Sequence, residues 1–155
     1  MKIRDAVKAD AAAACQVVRS SITELCPLDH HNDRQILGRW LANKTPENLE
    51  AWIADPGASL LVAVDDEAVL AVGSVKNDGE ITMNYVSPHA RFRGASSALL
   101  NAMESRARER GNTNCHLLST ETAHQFYLAR GYRDDGPTVG KFGTAASYPM
   151  VKALA

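Results

Sequence analysis

At 155 residues, with 45% apolar and 23% charged residues, the chain reads as a single domain, residues 1–155, with its own hydrophobic core. A formal net charge of −1 argues against a dedicated nucleic-acid binder, which would show a basic excess. No stretch is apolar over the length needed to span a bilayer, and the Ala11–Ala14 run is too short for a signal-peptide core, so no membrane partner is expected.

Lys2–Ala6 reads as a first strand. Asp10 is placed to cap a helix running to about Leu25 and closed before Pro27. Cys15, Cys26 and Cys115 are an odd number at no metal-ligand spacing; reduced thiols in a cytoplasmic protein, with no metal, are the expectation. Asp29 to Asn43 carries Ile36, Leu37, Trp40 and Leu41 at helical spacing, and Thr45-Pro46 opens a further helix that Asp55-Pro56-Gly57 ends. The period then changes. Ser59–Val64, Ala68–Lys76 and Gly79–Val86 are β-rich runs joined by short acidic or Asp-Gly turns, which predicts an antiparallel meander. A helix from Gly94 to about Arg110, a strand Asn114–Ser119, a helix Thr122–Arg130 and closing strands Tyr132–Asp134 and Ser147–Ala153 complete the order. Helices first, then a meander, then alternating elements, is a mixed α+β pattern rather than a doubly wound one.

The segment from Tyr85 to Leu100 carries the chemistry. A strand ends at Pro88, a basic turn comes next, and a helix rich in alanine and leucine opens at Gly94. Arg91 and Arg93 add positive charge where the helix dipole already places some, an arrangement suited to an anion bound on free backbone N–H groups. The plain alternative is two solvated loop arginines. The chain lacks Gly-x-x-x-x-Gly-Lys-Ser/Thr and Gly-x-Gly-x-x-Gly, which argues against a P-loop NTPase and a Rossmann dinucleotide site.

Arg91-Phe92-Arg93-Gly94-Ala95-Ser96, coming after Val86-Ser87-Pro88, resembles motif A of the GNAT superfamily of acyl-CoA-dependent N-acetyltransferases, whose signature is Gln/Arg-x-x-Gly-x-Gly/Ala. Phe92 and Ser96 stand where the family usually has small residues and Gly or Ala. Ala123-His124-Gln125-Phe126-Tyr127-Leu128-Ala129-Arg130-Gly131-Tyr132 resembles motif B. The resemblance implies a mostly antiparallel twisted central sheet with helices on both faces, and acetyl-CoA as cosubstrate. It implies a site in which Tyr85, Val86, Arg91, Phe92, Arg93, Gly94, Ala95, Ser96, Ser97, Thr122, Phe126 and Tyr127 bind coenzyme A. The acceptor would be a small-molecule or protein amine that attacks directly in a ternary complex, and a homodimer is compatible with the family.

From the residues alone, Tyr127 is either a core aromatic or a functional phenol; the resemblance makes it the general acid that protonates the leaving thiolate. Thr122 and Gln125 are spaced as a capping box, and Gly131-Tyr132 suits a Schellman end. An alkyl ammonium of pKa ~10.4 needs a proton acceptor. Glu80, at the start of the strand leading to Tyr85, is the first candidate, with a solvent-facing hairpin residue as its plain alternative. Glu24, Asp29, His30 and His31 are candidates for the rim of the acceptor pocket. A GNAT-like module that binds acyl-CoA without turnover is the alternative function, and another phosphate-binding enzyme is a third.

Overall fold

The computed structural model describes residues 1–144 and 146–155. Seven strands form one sheet in the order β1-β2-β3-β4-β5-β7-β6, with β1 at Lys2–Asp5, β2 at Ala58–Asp65, β3 at Ala68–Lys76, β4 at Glu80–Val86, β5 at Asn114–Ser119, β6 at Arg133–Asp134 and β7 at Tyr148–Ala153. Every neighbouring pair is antiparallel except β4 and β5. The mixed α+β expectation holds.

Two apolar layers cover the sheet, and β2 shows how the sequence builds both. Leu60, Val62 and Val64 point to one face, Leu61 and Ala63 to the other, as the period of two requires. The first face packs on α1 (Ala11–Leu25) and α4 (Pro46–Ala54) through Val18, Ile22 and Leu49. The second packs on α5 (Ala95–Glu109) through Leu99, Leu100 and Met103, none more than 1% exposed. Burying each of these contributes roughly 1.5–3 kcal/mol. The helix lies close on β3: a Cβ at Gly73 would sit 2.9 Å from Leu99 Cδ2 and from Met103 Sδ.

The helical half departs from the sequence reading at two points. Asp10 does not cap α1; its carboxylate accepts the Val7 N–H at 2.8 Å and pairs with Arg4 at 2.7 Å, so it closes a short 3-10 turn, Lys8–Asp10, ahead of the helix. The single helix expected over Asp29–Asn43 is two: α2 (Pro27–His30) and α3 (Arg34–Leu41). His31 and Asn32 adopt φ of 54° and 56°, breaking the helix, and Asp33 restarts it by accepting the N–H groups of Gln35 and Ile36. The start of α4 and the end of α5 match expectation. Thr45 Oγ1 accepts the Asn48 N–H, and Gly111 ends α5 in a Schellman motif, with Asn112 N–H on Ala107 C=O and Gly111 N–H on Arg108 C=O.

Two irregularities in the sheet set the geometry around β4. The β3–β4 register shifts at Ser74/Val75, so Thr82 is an extra residue in β4. Ile81 therefore joins the α5 layer while Met83 and Tyr85 join the α1 layer. Meanwhile β4 and β5 pair only at Glu80–His116 and Ile81–Leu117. Beyond those pairs, β4 stays with β3 and β5 with β7, so the two strands part.

Candidate active site

The parting of β4 and β5 opens a cleft of about 330 Å³. Asn84, Tyr85 and Val86 form one wall, Leu118 and Ser119 the other. The turn before α5 also lines it, as do Phe126 and Tyr127 of α6 (His124–Ala129).

The turn is shaped for an anion. Gly94 takes φ 81° and Phe92 φ 63°, bending the chain so that α5 starts with the N–H groups of Ala95, Ser96 and Ser97 ahead of the first intrahelical bond, Ala98 N–H to Gly94 C=O. Among the described residues, no side chain caps them. Phe92 is 92% exposed, and Arg91 lies over its ring at 4.6 Å.

The two arginines, alike in sequence, diverge in space. Arg91 lines the cleft, whereas Arg93 pairs with Asp65 at 2.9 Å. Of the other predicted binding residues, Tyr85, Val86, Phe92, Ser96, Thr122, Phe126 and Tyr127 line the cleft. Gly94, Ala95 and Ser97 do not: Gly94 is the bend, Ala95 is buried beneath the helix, and Ser97 Oγ accepts Arg130 Nε at 2.9 Å. Ser21, Leu25 and Cys26, on and just after α1, also line it, although sequence reasoning does not single them out. The one available signal is a serine on the apolar face of α1, where Ser21 is buried.

The helix α6 starts differently from the expected capping box. Thr120 Oγ1, not Thr122, accepts the Ala123 N–H, and the Thr122 hydroxyl donates to Asp29. Its end is as expected: Tyr132 N–H reaches Tyr127 C=O and Gly131 N–H reaches Leu128 C=O. The Tyr132 ring closes edge-on upon Tyr127 at 5.5 Å, with Phe126 on another side at 5.1 Å. The phenol of Tyr127 is thus fixed by its own helix cap. Burial pushes it up to about 12, the Asn84 side chain acting in the opposite direction. The Asn84 Oδ1 atom is buried and has no hydrogen-bond partner among the described residues. Cys26 is also pushed up to about 12, by burial and then by the charge of Asp29.

A second cavity, of about 420 Å³, adjoins the first; Tyr85, Leu118 and Thr120 line both. Trp40, Trp52, Lys44, Lys76, Lys141 and Phe142 form much of its wall. Glu80 lines neither cavity. It pairs with Lys76 at 3.4 Å and clusters with Asp78 and His116, their ligand atoms within 4.8 Å of one another. His30 is fully buried and holds α1 through the Ile22 carbonyl, so it is structural rather than a rim residue.

The cleft fits coenzyme A on this chain's own atoms. Free N–H groups and Arg91 suit a pyrophosphate, the unpaired edge of β4 suits the pantetheine amides, and the orphaned Asn84 Oδ1 can accept an amide N–H. Among the described residues, no helix is long and apolar enough to cross a membrane.

Solved structures share this fold over nearly the whole chain. A GCN5-related N-acetyltransferase of Rhodopseudomonas palustris superposes with a TM-score of 0.87 at 26% identity, over 99% of this chain and 95% of that one. The PaiA N-acetyltransferase of Thermoplasma acidophilum, in complex with coenzyme A, gives 0.83 at 18% identity over 98% of each. An aminoglycoside 6'-N-acetyltransferase complexed with coenzyme A gives 0.75 at 14%, over 100% of this chain and 98% of that one. No curated protein sequence matches. The family model for the acetyltransferase (GNAT) domain matches residues 28–154, and the chain belongs to that family of acetyltransferases.

Proposed function

We propose that the protein is an N-acetyltransferase that moves an acetyl group from acetyl-CoA to a primary amine by direct attack. One observation carries this reading: a buried, packed phenol, Tyr127, stands in the same cleft as the anion-suited turn, and that cleft adjoins, through Tyr85, Leu118 and Thr120, a second cavity for the amine. When bound, the cosubstrate supplies a thioester carbonyl for attack.

The residues have distinct parts in that reaction. The α5 N–H groups and Arg91 hold the pyrophosphate, and the free edge of β4 aligns the pantetheine arm. A main-chain N–H on that edge faces the charge that develops on the carbonyl oxygen. As the amine nitrogen bonds to the carbonyl carbon and the C–S bond breaks, Tyr127 gives its proton to the sulfur and recovers one from solvent. The amine's own proton leaves to water. A phenol held up to about 12 stays protonated throughout the neutral range, so the acid is present at every working pH. The thiol of Cys26 stays protonated as well, which supports direct transfer over an acyl-cysteine route.

Glu80 has no part in this scheme, since it lines neither cavity and faces Lys76. Replacing Glu80 with Gln is expected to leave kcat within about twofold. The decisive experiment is Tyr127→Phe. Released thiol should fall about 10–100-fold in kcat with acetyl-CoA affinity intact by calorimetry; an unchanged kcat overturns the assignment. Tight acetyl-CoA binding with no thiol release across primary amines would make the protein a binding module instead.

A further inference from the structure

The second cavity has a charge pattern that the transfer reaction itself does not require. Lys44 is 7% exposed, and its Nζ donates to the Trp40 carbonyl at 3.3 Å and to Asn43 Oδ1 at 2.6 Å. Both partners are neutral. Lys141 also approaches the Phe142 ring, its Nζ 5.4 Å from the ring centroid, against 5.5 Å for Lys44. Two ammonium groups thus converge on one aromatic ring, and neither makes an ion pair among the described residues. Burial, and after it the charge of Lys141, bring Lys44 down to about 8.

Phe142 is held in place for this arrangement. It adopts φ 60°, an uncommon conformation for a bulky residue. Arg39 Nε donates to its carbonyl at 3.1 Å, and its ring stacks on Trp40 at 6.5 Å. A third lysine on the wall, Lys76, has Glu80 as its partner. The one acidic residue of the wall, Asp55, has an oxygen engaged by the Gly57 N–H at 2.8 Å.

We infer that the acceptor is a small primary amine bearing a carboxylate, and that Lys44 and Lys141 bind that carboxylate beside the Phe142 ring. The inference rests on the acetyl-transfer reading of the site. A cavity of about 420 Å³ matches an amino-acid-sized molecule rather than a folded protein surface. A polycationic amine would add charge beside the buried Lys44 and the exposed Lys141, whereas a carboxylate relieves the buried one and pairs with both. The same field favours the neutral, nucleophilic form of the acceptor amine.

Amine pairs that differ by one carboxylate test this, for example 4-aminobutyrate against butylamine and phenylalanine against phenethylamine, with spermidine as the polycation. Thiol release is read alongside quenching of Trp40 and Trp52 fluorescence, which reports binding without turnover, and acetyl-CoA affinity is measured by calorimetry. The carboxylate member of a pair should be favoured at least tenfold in kcat/KM, or in affinity where turnover is slow. Lys44→Met and Lys141→Gln should each raise KM for that member about tenfold and so narrow its advantage over the carboxylate-free partner, with acetyl-CoA affinity within twofold. Preference for butylamine, phenethylamine or spermidine overturns the inference, as does the absence of saturable quenching by any carboxylate-bearing amine. If acetyl-CoA itself does not bind, the transferase reading fails rather than this one.

Discussion

The carboxylate of Asp29, 1% exposed, accepts the backbone N–H of Glu121 at 2.7 Å. It also takes the Thr122 N–H at 3.2 Å and the Thr122 hydroxyl. One side chain on α2 therefore satisfies three donors of the loop that enters α6, tying the helical layer to the segment that carries Tyr127. Asp29→Asn replaces an acceptor-only group by one that meets some of these donors with its own N–H. The variant should lose about 2–4 kcal/mol. Urea unfolding should show this as a lower midpoint with an unchanged m-value.

That bond also separates local from distant information in the chain. Thr122 and Gln125 have the spacing of a capping box, and nothing local reveals that the threonine is claimed by a residue 93 positions earlier. Arg91 and Arg93 are equivalent by position; only the fold, by bringing Asp65 beside one of them, separates them. The convergence of Lys44 and Lys141 on Phe142 is likewise invisible until α3, α4 and the segment before β7 are packed. By contrast, the meander, the Schellman ends at Gly111 and Gly131, and the bent start of α5 are written in local chemistry. Period-two alternation, Asp-Gly turns and glycines at positive φ need no distant partner.

The two arginines give a comparative prediction. Arg91→Ala should raise KM for acetyl-CoA about tenfold, more steeply at low ionic strength, because it removes charge from the anion-suited turn. Arg93→Ala should alter that KM less than twofold. Its pair with Asp65 is about half-exposed on both sides, so stability should change by no more than about 1 kcal/mol. Steady-state kinetics at two salt concentrations check both.

Lys44 gives a pH signature. It loses its proton near pH 8 in the folded chain against an ordinary value of 10.5. Between those two values the unfolded chain binds more protons, so the Lys44 contribution to stability rises with pH. Below pH 8 both states are protonated and the folded state carries the whole cost, up to about 3 kcal/mol. Lys44→Met should therefore be more stable than wild type at pH 7, with the gap shrinking toward pH 9.5. Denaturation midpoints at pH 7 and pH 9.5 check this, and the difference between the two proteins cancels Cys26, whose raised value makes stability fall as pH climbs past about 9.

Beneath α5, Glu104 is 3% exposed and has two partners: Lys152 Nζ at 3.0 Å and the Tyr132 hydroxyl at 2.8 Å. Its charge, after burial, holds the Tyr132 phenol far above its usual range. Glu104→Ala would strand both partners and open a cavity. A loss of about 3–5 kcal/mol is expected, measurable by thermal or urea denaturation. Because Tyr132 packs on Tyr127, kcat should fall along with stability, whereas Lys152→Met should change stability more than turnover.

Finally, the sheet is joined across its middle by two residue pairs alone, Glu80–His116 and Ile81–Leu117. The strands on either side are locked to their own neighbours, and the two halves of the sheet share one apolar core beneath α5. Main-chain groups alternate sides along β4: Tyr85 turns its own to Val72 of β3, so those of Asn84 and Val86 face the gap, with no strand among the described residues across from them. Whatever occupies that gap completes the hydrogen-bonding of the sheet. Its binding energy is then also stability of the fold, and on the proposed reading that occupant is the acyl donor, serving as a missing strand as well as a reactant.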